Sequence, residues 1–170
     1  MKAQLKLMLL MIAVPIIVLT GCKKTNPIVV TVSGIGYLDE TDACKSASQG
    51  ADFALRMTGD LEGCLYFFVD EFTCIFGNYE EKGRELFVGT YKGKSGTFRT
   101  TYDFQGKYEG CNPDGSLAGA QISGQCQHYI VKGSGTGVFK GVTGRFDITD
   151  NVKANPIDYP YIGEFKFWGL

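Results

Sequence analysis

Between residues 96 and 109 the chain alternates strictly. Phe98, Thr100, Tyr102, Phe104 and Tyr108 fall on one side, and Arg99, Thr101, Asp103, Gln105, Lys107 and Glu109 on the other. A period of two puts successive side chains on opposite faces of a pleated backbone, so this segment predicts a strand with one buried face. Residues 84–91 are strand-like, and Lys92, Gly93, Lys94 and Ser95 between the two runs read as a turn, which makes 84–108 a hairpin. Upstream, Phe53, Leu55 and Met57 alternate, and Leu61, Gly63, Leu65, Phe67 and Val69 continue the pattern beyond Thr58, Gly59 and Asp60, as one long strand with a bend. In residues 117–131, Ala118, Ala120, Ile122, Gly124, Cys126, His128 and Ile130 share the less polar face, opposite Gln121, Ser123, Gln125 and Gln127. Phe146 and Ile148 pair within 144–149, Tyr161, Phe165 and Phe167 within 161–168, and residues 28–37 open the series.

With the two runs around Gly59 counted separately, these are eight short segments divided by turns, and none has a sustained helical period. An even row of antiparallel strands with one apolar face closes most economically into a barrel, because closure removes both unpaired edges. The expected class is therefore all-β, an eight-stranded antiparallel barrel. Composition agrees: 23 Gly, 12 Phe and 9 Tyr among 170 residues suit pleated surfaces and tight turns. A formal net charge of −1 without a long Lys/Arg cluster lacks the electrostatic footprint of nucleic-acid binding, so no nucleic-acid partner is expected.

The first residues follow a different pattern. Lys2 and Lys6 precede an apolar run at 7–19, interrupted by Pro15, and then Leu19, Thr20, Gly21 and Cys22. A membrane span needs roughly 20 apolar residues, so the run reads as the hydrophobic region of a secretory signal. The four residues LTGC resemble the bacterial lipobox. That resemblance implies removal of residues 1–21, lipid on the Cys22 thiol and acylation of the new amino terminus. Loss of Lys2 and Lys6 would take the net charge from −1 to −3, so the membrane partner would be held by lipid rather than by charge. Residues 22–27 then form a lipidated terminus and short tether, with 28–170 the barrel. Lys23 stands where an Asp would, by resemblance to the enterobacterial sorting rule, retain the protein at the inner membrane. The expected location is the cell envelope, at the outer membrane.

Five cysteines follow: Cys44, Cys64, Cys74, Cys111 and Cys126. In an oxidising compartment they allow two intrachain disulfides and leave one thiol over, in a pairing that spacing does not select. There is no Cys-x-x-Cys, no His-Glu-x-x-His and no calcium-loop pattern, and Cys126 with His128 is the only close Cys/His pair, so neither metal nor cofactor is expected. The glycines of 133–144 do not make a nucleotide cradle, because Val138 stands where the third glycine of G-x-G-x-x-G belongs. Gly93, Lys94 and Ser95 fail as a Walker loop because Val88 occupies a required glycine position.

The stretch GTGVFKGVTGRF at 135–146 is similar to a "GTGxFxGxTGxF" segment of the allene oxide cyclase-like and dirigent-like barrels, and the likeness runs over roughly 83–168. The resemblance implies an eight-stranded barrel in which this segment is a short helical turn crossing between the last strands. Members of that group include a plant fatty-acid-epoxide cyclase and proteins that orient radical coupling, but no catalytic residue of either maps onto this chain.

His128 is the first candidate acid or base, imidazole being the side chain suited to proton transfer near neutral pH. Cys126, two residues away on the same strand face, could pair with it as a thiolate, or be a disulfide half or a small core residue. Glu71 and Glu85 are further inward candidates. Phe67, Phe98, Tyr102, Phe104, Phe165 and Phe167, with Cys126 and His128, are candidates to line an apolar cavity, although an eight-stranded barrel can also be filled by its own side chains. The leading expectation is a non-catalytic envelope barrel that binds a small hydrophobic molecule or presents an interaction surface. A cyclase- or isomerase-type enzyme and a structural envelope protein are the alternatives.

Overall fold

A computed structural model describes residues 26–168. The leader 1–21 and Cys22, with the lipid expected on it, lie outside the described residues. The chain forms β1 (Ile28–Leu38), β2 (Phe53–Gly59), β3 (Leu61–Ile75), β4 (Asn78–Tyr91), β5 (Lys94–Cys111), β6 (Leu117–Ile130), β7 (Thr136–Gly137), β8 (Thr143–Thr149) and β9 (Asp158–Phe167). The strands pair antiparallel in the order β4-β3-β2-β1-β9-β8-β6-β5, and β5 pairs back onto β4, so eight strands close into a barrel. The two-residue β7 continues past the end of β6 along β5, with Gly96 opposite Gly137.

Most of the expected segments form as read. Lys92 and Gly93, at φ of 50° and 72°, make the two-residue turn between β4 and β5, a left-handed pair that matches the twist of a hairpin. Three local features depart from simple alternation. Thr58, Gly59 and Asp60 do not bend one long strand but reverse the chain, since Met57 pairs with Gly63 and Phe53 with Phe67. The β3–β4 register shifts between Val69 and Glu71. An extra residue in a bulge exchanges the faces beyond it, and Glu71, expected inward, is exposed. In β6 the pairing steps from Lys107 with Ser123 to Tyr108 with Gln121. Ile122 is consequently 54% exposed, although it was placed with the inward set.

The barrel interior is packed at one end. Phe87 stacks on Phe98 with ring centroids 4.9 Å apart, Phe139 meets Phe98 edge-on at 4.9 Å, and Tyr91 stacks on Phe167 at 5.1 Å. Phe139 and Val142 are wholly buried and come from the 135–146 segment, which forms β7 and then successive turns closed by the N–H of Phe139, Lys140 and Val142 donating to carbonyls three residues back. This run of turns between β6 and β8 plugs the barrel end. Gly144, at φ 133°, lets the chain leave the plug into β8, where a Cβ would collide with the Glu164 carbonyl. The start of β1 lies at this closed end, Ile28 pairing with Phe167.

Two disulfides form, Cys44 with Cys64 and Cys74 with Cys111, and Cys126 remains a buried free thiol. The first ties the loop after β1 to β3. The second joins the far ends of β3 and β5 beside the opposite, open end of the barrel.

Candidate functional site

At the open end the side chains stop short of filling the barrel and leave a cavity of about 180 Å³. Its apolar wall comes from Leu38, Phe53, Leu55, Phe67, Phe104, Leu117 and Ile148, and its polar groups from Tyr79, Glu81, Tyr102, Tyr108, Gln121, Cys126, His128, Asp150 and Tyr159. The aromatic residues nominated from sequence therefore divide. Phe67, Tyr102 and Phe104, with Cys126 and His128, border the cavity, whereas Phe98, Phe165 and Phe167 are 0–1% exposed in the packed half and reach no open space. Whether the barrel is hollow or solid thus has a different answer at its two ends.

His128 sits deepest in chemical terms. It is wholly buried, its ring lying flat on Phe146 with centroids 4.5 Å apart and planes 2° apart. Its Nδ1 is 2.9 and 2.8 Å from the two carboxyl oxygens of Glu85, itself 0% exposed. Glu85 in turn accepts a hydrogen bond from the hydroxyl of Thr100. The strands dictate this cluster: β5 places Thr100 directly opposite Glu85 and Tyr102 opposite His128. A carboxyl group at Nδ1 holds the imidazole in one orientation. The other ring nitrogen, Nε2, is buried with no hydrogen-bond partner among the described residues.

Nearer the mouth, Glu81 is held by two phenols, Tyr79 donating at 2.6 Å and Tyr102 at 2.7 Å to its two oxygens. Burial, followed by the hydrogen bond to Glu81, holds both tyrosines well above the ordinary phenol range, so they act as donors. Tyr108 is pushed up to about 12, chiefly by burial and then by Asp150. Asp150 accepts from the side-chain amide of Gln121, yet burial still raises its carboxyl above the usual range.

The pairing of Cys126 with His128 as thiolate and base does not form. No hydrogen bond joins them among the described residues, and burial together with the nearby Glu85 carboxylate pushes the Cys126 thiol far up. The thiolate is the nucleophile, so a thiol raised in this way is inert and Cys126 is a small wall residue. Among the described residues no group of three or more His, Cys, Asp or Glu side chains converges as a metal centre requires.

Sequence reading did not nominate Tyr79, Glu81, Gln121, Asp150 or Tyr159 as site residues. Gln121 was hidden by the bulge at Ile122, and Tyr79 and Glu81 lie in a polar stretch of β4 whose alternation is too weak to register. Comparison of the chain with protein-family models, curated proteins and solved structures returns no match.

Proposed function

We propose that this protein is an envelope barrel that binds one small, largely apolar molecule in the open-end cavity, held to a membrane by lipid on Cys22. The observation that carries the binding reading is the convergence of His128, Glu81 and Asp150 on a cavity walled mainly by aliphatic and aromatic side chains, the composition expected of a small-molecule site. Its size suits a single ring: an engineered apolar cavity of about 150 Å³ takes benzene. The anchoring reading draws on the lipobox resemblance and on chain direction. β1 enters at the closed end and reaches the cavity wall at Leu38, so about 30 Å of strand would separate the tethered end from the mouth at a rise of about 3.3 Å per residue. The mouth would then open away from the membrane, at the outer membrane by the residue after Cys22. The resemblance to the allene oxide cyclase-like and dirigent-like barrels belongs to this proposal as an architectural likeness.

A second reading, acid-base catalysis on a hydrophobic substrate, is favoured by one feature, the Glu85 carboxyl orienting His128 beside the cavity. It requires turnover that His128→Asn abolishes while binding survives.

The binding reading is tested by thermal unfolding with single-ring hydrophobic compounds. A ligand that prefers the folded state raises stability by mass action, about 2.7 kcal/mol at a hundredfold excess over Kd. The melting temperature of the wild type should rise, and Leu117→Trp, which fills the mouth from a half-buried wall position, should abolish the rise. No shift with any compound contradicts the reading. The anchoring reading expects the intact protein to partition with membranes and Cys22→Ala to remain an uncleaved or mislocalised precursor; soluble, correctly trimmed Cys22→Ala protein contradicts it.

A further inference from the structure

Building on the cavity as a binding site, we infer that its ligand is an uncharged, ring-sized molecule carrying a hydrogen-bond acceptor, of the cyclic ketone or lactone kind, which takes the Nε2–H of His128. Glu85 and His128 are both 0% exposed, and an uncompensated charge in such surroundings is strongly disfavoured, so the pair is stable as a net-neutral unit. Two net-neutral forms exist, carboxylate with imidazolium and carboxylic acid with neutral imidazole. In both, one proton lies between a Glu85 oxygen and Nδ1, which stand 2.8–2.9 Å apart, and the second is on Nε2. Nε2 is thus a donor, buried without an acceptor among the described residues and with under 1 Å² of accessible surface, so a ligand in the cavity bordered by His128 reaches it only as the lining side chains shift. A donor left unpaired away from water is costly, and an acceptor atom in the cavity removes that cost.

The rest of the lining restricts what carries the acceptor. Among the described residues the carboxyl side chains at the cavity are Glu81 and Asp150, and no Lys or Arg borders it. A carboxylate ligand would meet like charge with nothing to neutralise it, which disfavours fatty acids despite the apolar walls. An ammonium ligand would suit the carboxylates but offers no acceptor to Nε2–H. The volume of about 180 Å³ also limits the ligand to a ring and a few further atoms.

The test is calorimetric titration of the full chain in detergent micelles, with empty micelles subtracted, using four probes built on one ring: cyclohexanone, methylcyclohexane, cyclohexanecarboxylate and cyclohexylamine. Cyclohexanone should bind tenfold or more tightly than the other three, the worth of one satisfied buried donor. His128→Phe should erase the ketone's advantage over methylcyclohexane. Glu81→Gln, which removes one of the two like charges at the cavity, should raise carboxylate affinity several-fold, a result that does not depend on the His128 variant folding. Carboxylate or amine binding as tight as the ketone overturns the inference and leaves the binding site in place, as does Glu81→Gln without effect on the carboxylate. Absence of binding by all four probes overturns the site itself.

Discussion

His128→Phe is expected to lower the stability of the barrel by about 3–5 kcal/mol, and Glu85→Leu in the same chain to return most of it. The single change keeps a ring against Phe146 but leaves the Glu85 carboxyl, away from water, with Thr100 as its one remaining hydrogen-bond partner among the described residues. Removing one member of a buried pair commonly costs that much, whereas replacing both by apolar side chains of similar volume is often close to neutral. Urea unfolding of the wild type, the two single variants and the double variant forms a cycle in which the coupling can be read directly. Additive losses would mean that Glu85 and His128 do not depend on each other, and the net-neutral unit on which the ligand chemistry rests would fall with them.

The second large effect separates the two halves of the barrel. Phe98 is wholly buried among Phe87, Phe139 and Phe165, so Phe98→Ala should cost about 3–5 kcal/mol as a cavity-forming core change. Phe104 occupies the same face of β5 but is half-buried against space that is already open, so Phe104→Ala should cost less than about 2 kcal/mol, and Gln105→Ala, exposed on the other face, no more than about 0.5 kcal/mol. Denaturant midpoints decide the matter. Equal losses at Phe98 and Phe104 would contradict the division into a packed end and a hollow end.

Much of this architecture is legible in the sequence because a sheet with one wet face writes its facing into a period of two. The run from Phe98 to Tyr102, the pair Phe146 and Ile148, and the trio Tyr161, Phe165 and Phe167 all point inward as that period requires, and His128 with Cys126 does so as well. What alternation cannot carry is a change of phase. The bulges after Val69 and at Ile122 each insert one residue and change the phase there, which is why Glu71 and Ile122 face out and Gln121 faces in. The reversal at Gly59 looked like a bend for a related reason, since apolar residues alternate on both sides of a tight turn and the pattern does not record direction. The plug residues Phe139 and Val142 sit in a Gly/Thr-rich stretch with no strand period at all.

The site was half readable. His128 and Glu85 could be nominated one by one, but their contact joins strands 43 residues apart and arises only because β4, β5 and β6 lie side by side. The same holds for Glu81 with Tyr102, and for Asp150 with Gln121. The disulfides likewise follow from which strand ends meet rather than from cysteine spacing.

The chain contains a single histidine, so an imidazole ¹⁵N spectrum reports on His128 alone. Recorded on the ¹⁵N-histidine-labelled protein while cyclohexanone is added, it should show Nε2 bearing a proton at the outset, and the Nε2 and Hε2 resonances should move saturably with ketone while Nδ1 keeps its bond to Glu85. Resonances that stay fixed up to the solubility limit of the ketone, or at a concentration that already raises the melting temperature, would contradict the claim that this barrel holds a small ligand against His128.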